Sequence, residues 1–284
     1  MKNVWQLTWH QLCGWRTDLR VSVAFLLGIG LSLTLASDFF SFAEVMQTSV
    51  QICEAYVVLG SSIPALMGIL LGCFLLLADA PFVSGISPYE ILRTGRRKWC
   101  ISRYLYLIIA CFLYSSVLLL FTMAFSFLVK GGSAADHWSE TMHTLAVKQP
   151  YFTIRKYAFA FPFPELINGC SPCEAMLLTW LFSTLYMIFC GGMVLVVNLY
   201  THRNMGWIIV LILHIIGYLA YTDSGLGIPY RFSLLCCAAP AYQFREEWGM
   251  STLYCLRLFM FLNALLLWLC VHMSRHLEAS DLGK

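Results

Sequence analysis

Six stretches of the chain run without an Asp, Glu, Lys or Arg: Val21 to Ser37, Ala55 to Ala78, Tyr104 to Val129, Ala175 to His202, Asn204 to Thr222 and Leu258 to Ser274. A helix rises about 1.5 Å per residue and the hydrocarbon core of a bilayer is about 30 Å thick, so roughly 20 apolar residues cross it. The pattern predicts an all-α polytopic membrane protein with six transmembrane helices, at residues 20–37, 55–78, 104–129, 175–201, 204–222 and 253–274. The last is extended to its start with Arg257 inside its first turns, because a long basic side chain near a helix end reaches the interface. A seventh apolar run, Phe232 to Phe244, is too short to cross and contains Pro240, which predicts a re-entrant hairpin buried against protein before the last helix. Residues 130–174, with Pro150, Pro162, Pro164 and Pro172, are expected to fold as an extracellular cap, since structureless loops of that length are uncommon.

Residues 1–19 predict an amphipathic helix lying on the membrane. Trp5, Trp9, Leu12 and Cys13 share one face at helical spacing, and Asn3, Gln6, His10 and Thr17 share the other. Leu35-Ala36-Ser37 offers the small residues of a signal-peptide cleavage site, but the stretch before the apolar core is too long and too rich in Trp for such a leader. Basic residues near span ends stay on the cytoplasmic side. With the N-terminus inside, the cytoplasmic segments hold Lys2, Arg16, Arg20, Arg93, Arg96, Arg97, Lys98, Arg103, Arg203, Arg275 and Lys284 of the 18 basic residues. The first outer segment, Asp38 to Glu54, holds acidic residues and no basic one, so both termini are expected inside.

Composition agrees with this and removes other classes. Of 284 residues, 60% are hydrophobic and 12% charged, with a mean hydropathy of +0.73, against about 25% charged for a soluble domain. A disordered chain or a nucleic-acid-binding module would need more charge. The 12 cysteines fall mostly inside apolar runs, where they pack as small hydrophobes.

Motifs for chemistry are scarce. The chain has no G-x-x-x-x-G-K-[ST] phosphate loop, no H-E-x-x-H and no G-x-S-x-G elbow, so it is not read as an enzyme, and no metal site is assigned. His214 stands alone at mid-span, and the polar residues Asn198, Asn263 and His214 suit hydrogen bonding between helices. With no carboxylate expected in mid-span, ion-coupled transport by this chain alone is not indicated. Cys170 and Cys173 form C-x-x-C at the mouth of the fourth span; a disulfide between them, thiol chemistry, and two incidental cysteines are all compatible with that spacing.

The segment Asp79 to Arg103 is the most informative. Ser87 at a cap, Pro88 at the first helical position and Glu90 three residues after the cap predict a short helix that stops near Gly95. Arg96, Arg97, Lys98 and Arg103 are expected to meet an anionic inner leaflet. Tyr89, Ile91 and Leu92 would project beyond the lipid, where apolar side chains need a protein surface.

This layout resembles the membrane subunits of ABC-2-type (type V) ABC transporters: a surface helix, six spans, a basic loop with a short helix after span two, and a re-entrant hairpin before span six. The stretch Leu92-Arg93-Thr94-Gly95-Arg96-Arg97-Lys98-Trp99, leading to Tyr104-Leu105-Tyr106, is similar to the corresponding loop of small bacterial ABC-2 permeases. The resemblance implies that Pro88, Tyr89, Glu90, Ile91, Leu92 and Arg93 dock into a separate cytoplasmic ABC ATPase subunit, which binds the ATP and Mg. It also implies a second copy of this permease or a homologous one, a lipid-facing surface in a bacterial cell membrane, no nucleic-acid partner, and outward movement of an amphiphile such as a peptide, an antibiotic or a lipid-like molecule. The competing classes are a membrane-embedded accessory or immunity protein and an intramembrane enzyme.

Overall fold

In a computed structural model, residues 2–82, 87–130, 137–148, 163–201, 204–222, 232–244 and 250–275 are described, and all regular structure among them is helical. The surface helix α1 (Lys2–Cys13) ends in one 3-10 turn. Asp18 then caps α2 (Leu19–Met46), its carboxylate accepting the Arg20 backbone N–H at 3.0 Å. α2 continues nine residues past the expected end at 37, because no breaker intervenes and Phe39, Phe40, Phe42 and Ala43 find buried positions. Gln47 closes it in the left-handed conformation, φ 54°.

The second apolar run is not one straight helix. It forms α3 (Glu54–Ser61) and α4 (Ile63–Leu77), which meet at a 92° bend. Pro64 explains the break: it has no N–H for a bond to the preceding turn, and its ring would clash with the carbonyl of residue 60. Ser62 accordingly takes an extended conformation, φ −85° and ψ 112°. All eight residues of α3 are buried.

After the helix α5 (Ser87–Thr94), α6 (Arg96–Lys130) begins well before the expected start at 104. Of residues 130–174, expected to fold as a cap, the described ones form α7 (Glu140–His143), a π-turn (Thr144–Lys148) and α8 (Pro164–Gly169), and 131–136 and 149–162 lie outside the described residues. The central helix is α9 (Pro172–Thr201): 72% of its apolar window is buried, against 28% for α2 and 22% for α12 (Thr252–Met273), which face outward. α10 (Gly206–Tyr221) leads to α11 (Leu234–Ala238) and a 3-10 turn (Pro240–Phe244). These last two make a hairpin turned at Ala239 and Pro240, with Cys236, Cys237, Ala241 and Tyr242 buried, so the short run with its proline lies against protein.

Among the described residues four helices, α2, α6, α9 and α12, are long and apolar enough to cross a membrane, and the bent pair α3–α4 makes a fifth when counted as one span. α10 has 16 residues, about 24 Å of helix against a core of about 30 Å.

Polar side chains stitch these helices together. The Tyr114 hydroxyl donates to Ile69 O at 2.9 Å, and Gly28 of α2 and Gly72 of α4 leave room for its ring, since a Cβ at either would strike it. Asn198 donates from Nδ2 to Ala80 O at 2.6 Å and accepts the Gly206 N–H at 2.7 Å, tying the ends of α4, α9 and α10. Asn263 donates to Leu185 O at 3.2 Å.

Candidate functional site

α5 is too short to hold its shape alone, because nucleating a helix fixes several residues for one hydrogen bond. Its surroundings hold it. Gly95 ends it at φ 86°, a region open to glycine, and its N–H donates to Ile91 O at 2.8 Å. Ile91 is 4% exposed and joins the core. Glu90 Oε2 accepts from Arg103 Nη2 at 2.6 Å and from Trp99 Nε1 at 3.3 Å, and the guanidinium lies over the Trp99 ring, 4.8 Å from its centre. Arg103 Nη2 also reaches Ser87 Oγ at 3.5 Å. The side chains of Arg103 and Glu90 are only 4% and 14% exposed.

The predicted residues therefore divide. Tyr89 and Leu92 are 71% and 76% exposed, Arg93 lies open beside them, and Pro88 is half-buried. These form an outward apolar and basic edge. Ile91 and Glu90 face inward and anchor that edge. Arg96, Arg97 and Lys98 are exposed, Arg96 donating to Arg275 O at 3.4 Å. Arg103, grouped in the sequence with the lipid-facing cations, is instead buried, because a carboxylate thirteen residues earlier is placed to neutralise it. Trp99, which the sequence offered only as part of a resemblance, is fully buried and is the floor of this cluster.

α1 packs on the first turns of α6 beside this cluster. Thr8 Oγ1 meets Ser102 Oγ at 3.2 Å, Gln11 Nε2 donates to Phe82 O at 3.4 Å, and Trp15 Nε1 donates to the Tyr106 hydroxyl at 2.7 Å. The packed face is thus that of Thr8, Gln11 and Trp15. Trp5, Trp9 and Cys13 line a shallow groove on the outward face together with Gln6 and His10, which the helical spacing assigns to the opposite face, and Leu12 is not part of it.

At the opposite end of the bundle, Glu54 heads α3 with no exposure. The sequence reading left it in a loop. Its carboxylate accepts the Ser139 N–H and Ser139 Oγ–H, both at 2.7 Å, and the Gln51 N–H at 2.9 Å, while Thr141 Oγ1 donates to Ser49 O at 2.7 Å. The start of α7 is thereby seated on the head of the bent span. Cys170 and Cys173 are not joined to each other and have different partners: Cys170 Sγ donates to Leu166 O at 3.4 Å, and Cys173 Sγ lies 3.4 Å from Cys53 Sγ.

No family model, curated protein or solved structure matches this chain. Among the described residues, no group of three or more His, Cys, Asp or Glu side chains is placed to hold a metal ion.

Proposed function

We propose that this chain is the membrane subunit of an ATP-driven exporter of the ABC-2 type, with α5 as the seat of a separate cytoplasmic ATPase. The observation that carries this reading is an eight-residue helix whose two large apolar side chains, Tyr89 and Leu92, stand in the open while Glu90 and Ile91 fix it to a transmembrane helix. Free helices with such side chains collapse onto the nearest surface. This one is held out, as a fixed contact for a partner.

In this reading the chain crosses the membrane six times with both termini in the cytoplasm, α10 being the fifth crossing in a locally thinned bilayer. The exposed Arg93, Arg96, Arg97 and Lys98 lie at the inner surface, where each cation contributes about 1 kcal/mol of attraction to anionic lipid. Nucleotide closes two ATPase subunits, α5 follows its seat, and the movement passes through Glu90 and Arg103 into α6. Two six-span subunits, identical or homologous, then exchange inward- and outward-open states, and an amphiphilic cargo leaves. The difference in free energy between those states comes from the nucleotide bound by the partner.

Replacing Leu92 by Asp places a carboxylate in an apolar seat, at a cost of several kcal/mol of binding. The test is purification of the chain from its native membranes in mild detergent. A subunit with a nucleotide-binding phosphate loop and ATPase activity should accompany the wild type and be lost from a monodisperse Leu92→Asp protein. Absence of such a subunit from the wild type, or its undiminished retention by the variant, overturns the reading.

A further inference from the structure

We propose that Cys53 and Cys173 are an oxidation site: in the mature protein they form a disulfide that fastens the outer half of the bent span to the central helix. The two sulfurs are 120 positions apart in the chain, yet lie 3.4 Å from each other. A covalent bond needs about 2.0 Å, a closure within the reach of small side-chain rotations. Cys53 is the residue immediately before α3, and Cys173 is the second residue of α9. Both sit at the end of the bundle opposite the Arg96, Arg97 and Lys98 cluster, which in the orientation proposed above is the end away from the reducing cytoplasm. The neighbouring C-x-x-C cysteine, Cys170, is engaged with Leu166 O and is turned away. The pairing thus differs from the one that chain proximity favours.

The environment also assigns an order to the chemistry. Burial, with the adjacent Cys173 sulfur, pushes the Cys53 thiol up to about 12, so Cys53 is not the group that meets the oxidant. Cys173 is the more open of the two. Its thiolate attacks one sulfur of a disulfide oxidant, a small-molecule disulfide or the disulfide of a thiol oxidase, and expels the other as a thiolate. Cys53 then gives up its proton and attacks the Cys173 sulfur, expelling the second oxidant thiolate. The Cys53–Cys173 bond forms, the oxidant gains two electrons, and the two cysteine protons end on its two thiols. Beside this bond Glu54 holds Ser139, so one covalent link stabilises the bent span, the central helix and the seat of α7 together.

The proposal rests on the orientation given under the proposed function but not on transport, and is tested without any transport measurement. Membranes of cells carrying the full-length wild type, and separately Cys170→Ser, are blocked with N-ethylmaleimide before lysis, digested without reductant and examined by mass spectrometry. The expected result is a linked peptide pair joining Cys53 to Cys173 in both proteins, lost on reduction, with maleimide on Cys170 of the wild type. Cys53 and Cys173 recovered as separate peptides, with or without maleimide, or a link between Cys170 and Cys173, overturns it.

Discussion

Replacing Arg103 by Met should loosen α5 without disturbing the membrane helices. The Glu90 carboxylate would keep the Trp99 N–H at 3.3 Å and lose its 2.6 Å partner. Removing one member of a buried ion pair costs about 3–5 kcal/mol. With Glu90 14% exposed and still holding one donor, the low end applies, about 3 kcal/mol. Such a loss falls on the element that depends on the pair, here an eight-residue helix otherwise held by Ile91. Local opening then becomes easier by the same amount, which at about 1.4 kcal/mol per decade is roughly 100-fold. Amide hydrogen exchange in detergent, read on peptides covering residues 88–95 and 104–130, measures this directly. Exchange in the first should quicken by about two decades, and the second should stay as in the wild type. A Glu90→Leu, Arg103→Met double variant removes both charges and should recover most of the protection, because apolar pairs of similar volume replace buried ion pairs at little cost. Protection unchanged within twofold in Arg103→Met, or a double variant as unprotected as the single, would refute the claim that this pair anchors α5.

Two more outcomes are expected. A reporter fused after Lys284 and one inserted at Gly95 should both read cytoplasmic and one at Gly132 external; an external signal at Gly95 would reverse the orientation. Asn198→Leu strands Ala80 O and the Gly206 N–H in a buried site, costing about 3 kcal/mol for two unpaired groups; the unfolding midpoint in detergent should fall by at least about 5 °C, and an unchanged midpoint would show that water or another donor already serves them.

The helices were legible because hydrocarbon imposes one strong rule, and the uncharged runs obey it. What the runs could not show is their course. Residues 55–78 read as one crossing although Pro64 stood in the middle, since a proline inside an apolar run is compatible with both a mild kink and a sharp break. Only the partners of α3 decide for the break. Glu54 read as loop because it abuts the start of the run, and the donors that let it be buried come from Ser139, far along the chain. The same limit misplaced Arg103: a cation near a span end looks alike whether it meets lipid phosphate or a carboxylate. Glu90 thirteen residues earlier was visible, but Gly95 had to reverse the chain before the two could meet. For α1 the division into two faces failed, since Gln6 and His10 lie beside Trp5 and Trp9, and the packed side is set by Thr8 and Ser102, a pair no periodicity marks. Of the three apolar side chains expected to project from α5, Tyr89 and Leu92 do and Ile91 does not, because Ile91 packs into the core.

The bend between α3 and α4 bears on how the chain is made. A right-angled turn exposed to acyl chains would leave backbone carbonyls without donors, so the bend needs protein around it. The neighbours that enclose α3 include α9 and the hairpin near Pro240, which are synthesised more than a hundred residues later. The enclosure of α3 is therefore completed only by segments made late in synthesis. A ribosome-bound Val57→Cys chain halted before Pro172 should leave α3 open to a cysteine-reactive probe at position 57 that cannot reach it in the finished protein.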